Sequence, residues 1–240
     1  MSAAPELRLG TPADSFQRVY IWELPVRVTH WVTFLSILVL AATGFYIGHP
    51  FISVSGLARD HFVMGTMRVI HLYAAIVFTF SAFVRVYWMF AGNRYARWSQ
   101  LIPTTRERLD SAWETIRFYG FAHRDPAAYP GHSGLAGVTY AVIFLIYFVM
   151  IVTGLALYTV YASVDSPFQL FRFLIPTFGG LQIVRLVHHI GMWLLLIFMV
   201  HHVYSVILFS LTQHSGIVDS IFAGYKRIKP AAVSERDGDV

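Results

Sequence analysis

The chain has 240 residues, of which 56% are hydrophobic and 13% charged, and its formal net charge is +5. A soluble domain of this length could not keep so much apolar surface out of water, so the composition predicts a membrane protein with several spans. The chain has no cysteine, which excludes disulfides, thiolate-bound iron–sulfur clusters and covalently attached c-type haem. We assign the excess of arginine to loops that orient the spans, and we do not expect nucleic-acid binding.

In chain order, a polar lead-in of residues 1–26 shows no pattern of a secretory signal. Four apolar stretches are then long enough to cross a bilayer, and they cover residues 28–48, 68–91, 135–158 and 186–211. Pro25 stands where the first helix would begin, a position that proline favours. The sequence therefore predicts an all-α membrane protein whose residues 27–212 form a four-helix transmembrane bundle.

A hydrophilic insert, residues 92–134, separates the second and third spans. Within it Leu109, Trp113 and Ile116 recur at helical spacing, and Thr104 with Glu107 has the form of a capping box. This pattern indicates a helix that either lies on the membrane surface or is solvated.

A polar tail covers residues 213–240 and follows the fourth span. Thirteen Lys and Arg fall in the lead-in with the adjoining Arg27, the insert and the tail, against four in or beside the two remaining loops. Basic loops stay inside, so both termini are expected in the cytoplasm.

The fourth span contains the most informative spacing. His188 and His202 are fourteen residues apart, which on a helix is about 21 Å of rise and only about 40° of rotation. The pairings through the neighbouring His189 and His201 are rotated much further apart. One helix face therefore carries two imidazoles at two depths, and an ionisable side chain within a membrane is by default a functional candidate.

The predicted directions of the spans supply a partner at each depth. His30 begins the first span at the cytoplasmic side, level with His202, and His71 begins the second span at the outer side, level with His188. Neutral imidazole is a good ligand for haem iron. We therefore predict an inner haem b held by His30 and His202 and an outer haem b held by His71 and His188.

Three of these histidines follow an arginine by three residues. These arginines are Arg27, Arg68 and Arg185. An arginine at i−3 shares the face of the histidine and would be placed to bind a haem propionate, although arginines also flank membrane spans for other reasons.

Two more residues follow from the same fourteen-residue step. Gly44 lies fourteen residues after His30 and would leave room for the outer macrocycle. Arg85 lies fourteen after His71, beside the inner haem, where it needs a propionate or a quinone oxygen as partner. By depth alone, Arg85, Asn93 and Gly137 are the candidates for quinone contacts.

Two imidazoles per iron leave no open site for substrate, which argues for electron transfer.

At this point the sequence resembles a known family, the membrane-bound Ni/Fe-hydrogenase b-type cytochrome subunit, within the wider group of di-haem four-helix b cytochromes. The stretches that carry the resemblance are 27–31 (RVTHW), 43–45 (TGF), 68–71 (RVIH), 92–95 (GNRY) and 185–202. The resemblance implies the same four histidine ligands and a bundle that serves a hydrogenase. By that implication, electrons pass from an iron–sulfur cluster of the small subunit, which is bound to the large subunit, to the outer haem, the inner haem and a quinone.

Three alternatives remain open from the residues themselves. The chain could serve formate dehydrogenase or another periplasmic oxidoreductase as its cytochrome b subunit. It could be a structural membrane anchor or a transporter without haem, in which the histidines pack or carry protons. A free-standing ferric reductase is disfavoured because the sequence offers no exposed electron-donor site.

Overall fold

The computed structural model describes residues 17–51, 62–98, 106–120, 122, 134–213 and 216–228. Two short strands are β1 (Gln17–Tyr20) and β2 (Tyr225–Ile228), and the longer helices are α1 (Leu24–Gly48), α2 (Val63–Ala91), α3 (Arg106–Tyr119), α4 (Gly134–Tyr158) and α6 (Leu181–Gln213). The shorter helices are a 3-10 helix (Pro167–Phe173), α5 (Leu174–Thr177) and α7 (Ile217–Ala223).

Helices α1, α2, α4 and α6 are each long and apolar enough to cross a membrane. In the apolar window of each helix, 28% of the residues or fewer are buried within the protein. Such large outward-facing apolar surfaces need hydrocarbon around them, because in water they would be strongly unfavourable. The four-helix membrane bundle that the sequence predicts is confirmed.

The predicted spans end where α1, α2 and α4 end, but the helices begin earlier than the apolar stretches. Helix α1 begins at Leu24 with Pro25 in its first turn, and α2 begins at Val63, one turn before Arg68. The first two predicted spans start beside Arg27 and Arg68. A charged side chain does not interrupt the backbone hydrogen bonds of a helix, so each helix extends further towards its N-terminus. The predicted span therefore underestimates the length of the helix.

Helices α1 and α2 form an antiparallel hairpin with a polar seam. The Thr33 hydroxyl lies 2.8 Å from the Ser81 hydroxyl, which in turn donates to the Thr29 carbonyl at 3.1 Å. All three residues are buried. Small hydroxyl side chains let the two backbones approach closely and give the hairpin a fixed register.

The segments at the two ends of the chain meet in an antiparallel two-stranded ribbon, in which β1 pairs with β2 from Gln17–Ile228 to Tyr20–Tyr225. The ribbon continues into α1, since the Ile21 and Trp22 amides both donate to the Gly224 carbonyl. Gly224 has φ +87°, and a Cβ there would lie 2.6 Å from the Tyr20 ring. Residues 17–22 of the lead-in and 224–228 of the tail are thus part of the fold, and we call this side of the bundle the ribbon end.

The opposite side, here the loop end, carries the segment between α4 and α6. The sequence predicts a loop there, whereas the structure forms a 3-10 helix and α5. The Ser166 side chain caps the 3-10 helix by accepting a hydrogen bond from the Phe168 backbone amide. The Gln169 side-chain amide donates to the Thr159 carbonyl at 3.0 Å. The loop end is therefore structured by local hydrogen bonds that hydropathy does not report.

The helix predicted in the insert is present as α3. Its Leu109, Trp113 and Ile116 side chains are exposed along one face, whereas Thr115 and Phe118 are buried. Phe118 packs on Phe209 of α6, with ring centroids 5.4 Å apart. The apolar stripe therefore faces away from the bundle, as expected of a helix at a membrane surface. Thr104 and the Glu107 side chain of the predicted capping box lie outside the described residues.

Candidate functional site

At the loop end, His71 on α2 faces His188 on α6. The centroids of the two imidazole rings are 6.5 Å apart, and the ring planes make an angle of 57°. His71 starts the apolar part of α2 and His188 starts that of α6. Consecutive spans run in opposite directions, so α2 and α6 both begin at the loop end. This brings the two histidines to the same level, although 117 positions of sequence separate them.

At the ribbon end, His30 on α1 faces His202 on α6. Their ring centroids are 6.1 Å apart with an angle of 50°. Trp31 packs edge-on against His30 at 5.2 Å, and Phe198 lies 5.5 Å from His202. Aromatic rings thus border this pair on both helices.

These separations suit a metal ion between each pair. A metal–imidazole bond of about 2.0–2.1 Å on each side places two trans ring centroids about 6.4 Å apart. The two measured distances, 6.1 and 6.5 Å, bracket that value. Among the described residues no group of three or more His, Asp or Glu side chains could hold a metal ion alone. The pairs therefore fit a metal whose remaining ligands come from a cofactor such as haem.

Two threonines position the loop-end pair, and sequence reasoning missed both. The Thr43 hydroxyl of α1 lies 2.8 Å from His71 Nδ1, and it donates to the Val39 carbonyl at 2.7 Å. The Thr153 hydroxyl of α4 lies 2.8 Å from His188 Nδ1.

The direction of these hydrogen bonds follows from the carbonyls. Like Thr43, Thr153 gives its only proton to a carbonyl one turn earlier, that of Val149 at 2.7 Å. Each threonine oxygen must then accept the Nδ1–H of the imidazole. In both histidines this network assigns the proton to Nδ1 and leaves the lone pair of Nε2 free for a metal.

Each threonine is followed by a glycine that lies against the same imidazole. A Cβ on Gly44 would be 3.4 Å from Cε1 of His71, and a Cβ on Gly154 would be 3.4 Å from Cε1 of His188. The chain has two Thr-Gly dipeptides, and both do this. That repetition on the first and third spans is the sequence signal that could have revealed the two threonines.

The neighbouring histidines have other surroundings. His189 lies between Phe45 and Trp193, each 6.4 Å from its ring centroid. His201 packs against Tyr119 at 5.7 Å, and its Nε2 is 3.3 Å from the Ser205 hydroxyl. Burial raises the pKa of Tyr119, partly offset by a hydrogen bond from Ser205, so Tyr119 stays protonated. The structure brings together the two predicted pairs and neither of these alternatives.

The three arginines at i−3 each have a partner within the protein. Arg27 donates from Nη1 to the Phe222 carbonyl. The Arg68 guanidinium lies 4.5 Å from the centroid of the Tyr161 ring. Arg185 lies 3.5 Å from the Gln182 side-chain oxygen. Their role towards propionates stays a prediction.

Arg85 differs from these arginines because it is only 6% exposed. Its guanidinium lies over the Tyr140 ring of α4, 5.1 Å from the centroid. Its Nη1 is buried and finds no hydrogen-bond partner among the described residues. Gly137, one turn before Tyr140 on the same helix, is also buried. The structure therefore brings the predicted Arg85 and Gly137 into one region and adds Tyr140 to it.

Asn93 has a structural role that depth alone does not predict. Its side-chain Nδ2 donates to the Ile21 carbonyl at 3.0 Å, and its Oδ1 accepts from the amides of Tyr95 and Ala96, each at 3.1 Å. The Asn93 amide itself donates to the Glu23 carboxylate at 2.8 Å. Asn93 thus ties the turn after α2 to the start of α1, and its polar atoms are occupied.

Buried donors without a partner collect at the ribbon end. Within the described ranges they are Arg27 Nε, His30 Nδ1, Trp31 Nε1 and Arg85 Nη1. Three of them sit within one turn of α1. A buried donor left unpaired costs about 1–3 kcal/mol, so a cluster of four fits a site for an acceptor-rich ligand such as a propionate or a quinone.

Fold and site together define a class: a four-helix membrane bundle that presents paired imidazoles at two levels, as a b-type cytochrome does. Comparison with known proteins supports this. The profile of the family described as "Prokaryotic cytochrome b561" matches residues 21–224. The chain belongs to this family, and membership implies that it binds haem b and spans the bacterial inner membrane several times.

Individual relatives show which kind of b-type cytochrome the chain resembles. The "Probable Ni/Fe-hydrogenase B-type cytochrome subunit" of Azotobacter vinelandii is 37% identical over 88% of this chain and 89% of the relative. The "Probable Ni/Fe-hydrogenase 1 B-type cytochrome subunit" of Escherichia coli (strain K12) is 35% identical over 94% of this chain and 97% of the relative. The relative from Cupriavidus necator is 37% identical over 90% and 89%. The resemblance seen in the sequence is confirmed, and these names describe electron-transfer subunits rather than enzymes acting alone.

Proposed function

We propose that the chain is the di-haem cytochrome b subunit of a membrane-bound uptake [NiFe]-hydrogenase. It anchors the complex and passes electrons from the iron–sulfur cluster of the small subunit to the quinone pool. The observation that carries the proposal is the pair of opposed imidazole couples, with centroids 6.1 and 6.5 Å apart at two levels of one bundle. The hydrogenase partner rests on the printed names of the relatives, which also favour it over formate dehydrogenase.

Two haem groups fit the residues present. His71 and His188 would hold the outer haem, and His30 and His202 would hold the inner one. Bound haem supplies a one-electron carrier whose iron, with two imidazoles, has no open position for substrate. The protein contributes the spacing: fourteen residues of α6, or about 21 Å of rise, separate the two levels. That distance covers most of a hydrocarbon layer about 30 Å thick.

The positive charges of the loops orient the bundle. The ribbon end carries β1, β2 and the turn after α2, which contain Arg18, Arg94, Arg97, Lys226 and Arg227. We place this end in the cytoplasm and the loop end outside. The small subunit then docks at the loop end, next to His71 and His188, and the quinone is reduced near the ribbon end.

Arg85 is the residue on which we base the quinone site. Its buried guanidinium has a free Nη1 donor within the described structure and faces Tyr140, and the buried Gly137 lies one turn before Tyr140 on α4. A donor held in an apolar bundle is suited to a quinone oxygen or to a propionate of the inner haem. Asn93 contributes by fixing the turn rather than by touching the quinone.

Haem quantification on the purified complex tests the proposal. Each of His30→Ala, His71→Ala, His188→Ala and His202→Ala should lose one of two haems, and His189→Ala and His201→Ala should keep both. Reduced-minus-oxidised spectra give the haem content, and the ratio of hydrogenase subunits to cytochrome reports assembly. A wild-type complex with one haem, or a single variant that retains both, would overturn the di-haem assignment.

A further inference from the structure

The two imidazole pairs differ in the hydrogen-bond partners of Nδ1, the ring nitrogen that would not bind the metal. At the loop end, Nδ1 of His71 and Nδ1 of His188 each donate to a threonine oxygen at 2.8 Å. At the ribbon end, Nδ1 of His30 is buried with no partner within the described ranges. The described residues likewise form no hydrogen bond with His202, whose neighbours are aromatic rings.

The threonines are better acceptors than an isolated hydroxyl. Each hydroxyl proton is committed to a helix carbonyl at 2.7 Å, and a hydroxyl that donates becomes a stronger acceptor. Thr43 is 5% exposed and Thr153 is fully buried, so water does not compete for either bond. An Nδ1–H that donates to such an oxygen makes the opposite nitrogen, Nε2, a more basic ligand.

We propose that Thr43 and Thr153 are positioning residues that lower the midpoint potential of the outer haem relative to the inner one. A more basic ligand stabilises the ferric over the ferrous state, and the outer pair has two such ligands where the inner pair has none from the described residues. The couple concerned takes up one electron and no proton. This places the lower potential on the side where electrons enter and the higher one on the side of the quinone. The inference rests on the proposed di-haem function.

The duplicated Thr-Gly element supports a role beyond packing. Thr43 and Gly44 lie on α1 against His71 of α2, and Thr153 and Gly154 lie on α4 against a histidine of α6. The threonine takes Nδ1 and the glycine lies at Cε1 in both cases. Two independent helix pairs thus repeat one arrangement around the same pair of imidazoles.

Optical redox titration of the purified complex tests the inference. Thr43→Val and Thr153→Val should each raise the outer midpoint potential, by about a tenfold change in the ferric-to-ferrous ratio, which is about 59 mV for a one-electron couple. Thr43→Ser and Thr153→Ser keep the acceptor and should titrate as wild type. His202→Ala, which keeps the outer haem alone, assigns the outer couple.

Thr139→Val is the matched control, because the Thr139 hydroxyl makes the same bond to a carbonyl one turn earlier without touching an imidazole. It should leave both potentials unchanged. Electron paramagnetic resonance should show altered g values for one of two low-spin ferric signals in each valine variant. If Thr43→Val loses the outer haem, its midpoint potential cannot be measured. The titrations of Thr153→Val and of the two serine variants then test the role of the threonines.

The outcomes separate the two proposals. Valine variants that keep both haems with an unmoved outer potential, or that shift the inner couple instead, would overturn the role of the threonines while leaving the di-haem assignment standing. A wild-type protein without two titrating couples would instead overturn the proposed function itself.

Discussion

The two ends of the bundle hold their histidine pairs by different contacts. At the loop end, the imidazoles are fixed by hydroxyls of the neighbouring helices, and each histidine has a defined tautomer. At the ribbon end, the imidazoles are bordered by aromatic rings, and buried donors nearby lack partners in the described structure. The first end is prepared for one fixed group. The second leaves hydrogen-bonding capacity for a ligand that comes and goes.

The surroundings of each end follow the same division. The ribbon end is held by side-chain bonds of the segments that adjoin the ribbon: the Trp22 indole donates to the Ser220 hydroxyl at 3.1 Å, and the Glu23 carboxylate accepts from the Trp88 indole at 2.8 Å. Trp31, next to His30, stacks on Phe222 of α7 at 4.8 Å. The position of the inner pair therefore depends on the ribbon, whereas the outer pair depends on spans α1 and α4.

Removing one histidine from each end should break the proposed path at two distinguishable points. In His202→Ala, hydrogen should still reduce the outer haem, but quinone reduction should be lost. In His188→Ala, hydrogen should no longer reduce the inner haem, although quinol still should. Stopped-flow spectra with hydrogen or quinol separate these cases, and His201→Ala serves as control. Full quinone activity in His202→Ala would contradict the assignment.

Arg85→Ala should have the next largest effect, and it should be confined to the ribbon end. Loss of a buried charge-assisted donor, worth about 1.5 kcal/mol or more, should raise the KM for quinone about tenfold, with Arg85→Lys in between. The control is Arg172→Ala, which removes an exposed guanidinium from the 3-10 helix at the loop end and should leave KM unchanged. An unaltered KM in Arg85→Ala, with haem content intact, would remove Arg85 from the quinone site.

Gly224→Ala should have the smallest effect. It tests whether the inner histidine pair depends on the ribbon. A Cβ there would lie 2.8 Å from the Trp22 carbonyl oxygen in a left-handed backbone, a strain of about 1–3 kcal/mol. We expect the inner haem to be released a few degrees earlier on heating than in wild type, with the outer haem unchanged. Spectra recorded during a thermal ramp measure this.

Gly216→Ala is the control for Gly224→Ala. Gly216 is also left-handed, with φ +64°, but the nearest atom to its Cβ would be 3.6 Å away. It should therefore shift the release of the inner haem by less. Equal shifts of both haems in Gly224→Ala would show that the ribbon stabilises the whole bundle rather than one end.

The features that could be predicted from the sequence are those with a strong one-dimensional signal. Four apolar runs predict four spans because a bilayer demands that length. The fourteen-residue step from His188 to His202 predicts one face at two depths because helix geometry is nearly invariant. The structure brings the predicted histidines together because antiparallel spans of similar length leave few choices of level.

The features that could not be predicted depend on the rotation of neighbouring helices. A threonine in an apolar helix ordinarily bonds its own backbone. The repeated Thr-Gly dipeptide marks Thr43 as unusual, but it does not say that the threonine oxygen faces His71. Asn93 shows the opposite error: its depth suggests a ligand contact, but the packing of the turn against Ile21 takes up its amide.

By itself, the sequence determined that this protein crosses the membrane four times and carries histidines at two depths, because hydrophobic length and helix periodicity are properties of the chain alone. Only the tertiary structure decided which atoms hold the imidazoles of the loop end, that β1 pairs with β2 at the ribbon end, and that Arg85 meets Tyr140. Those contacts depend on how helices far apart in sequence turn and pack against one another, and no local pattern encodes that rotation.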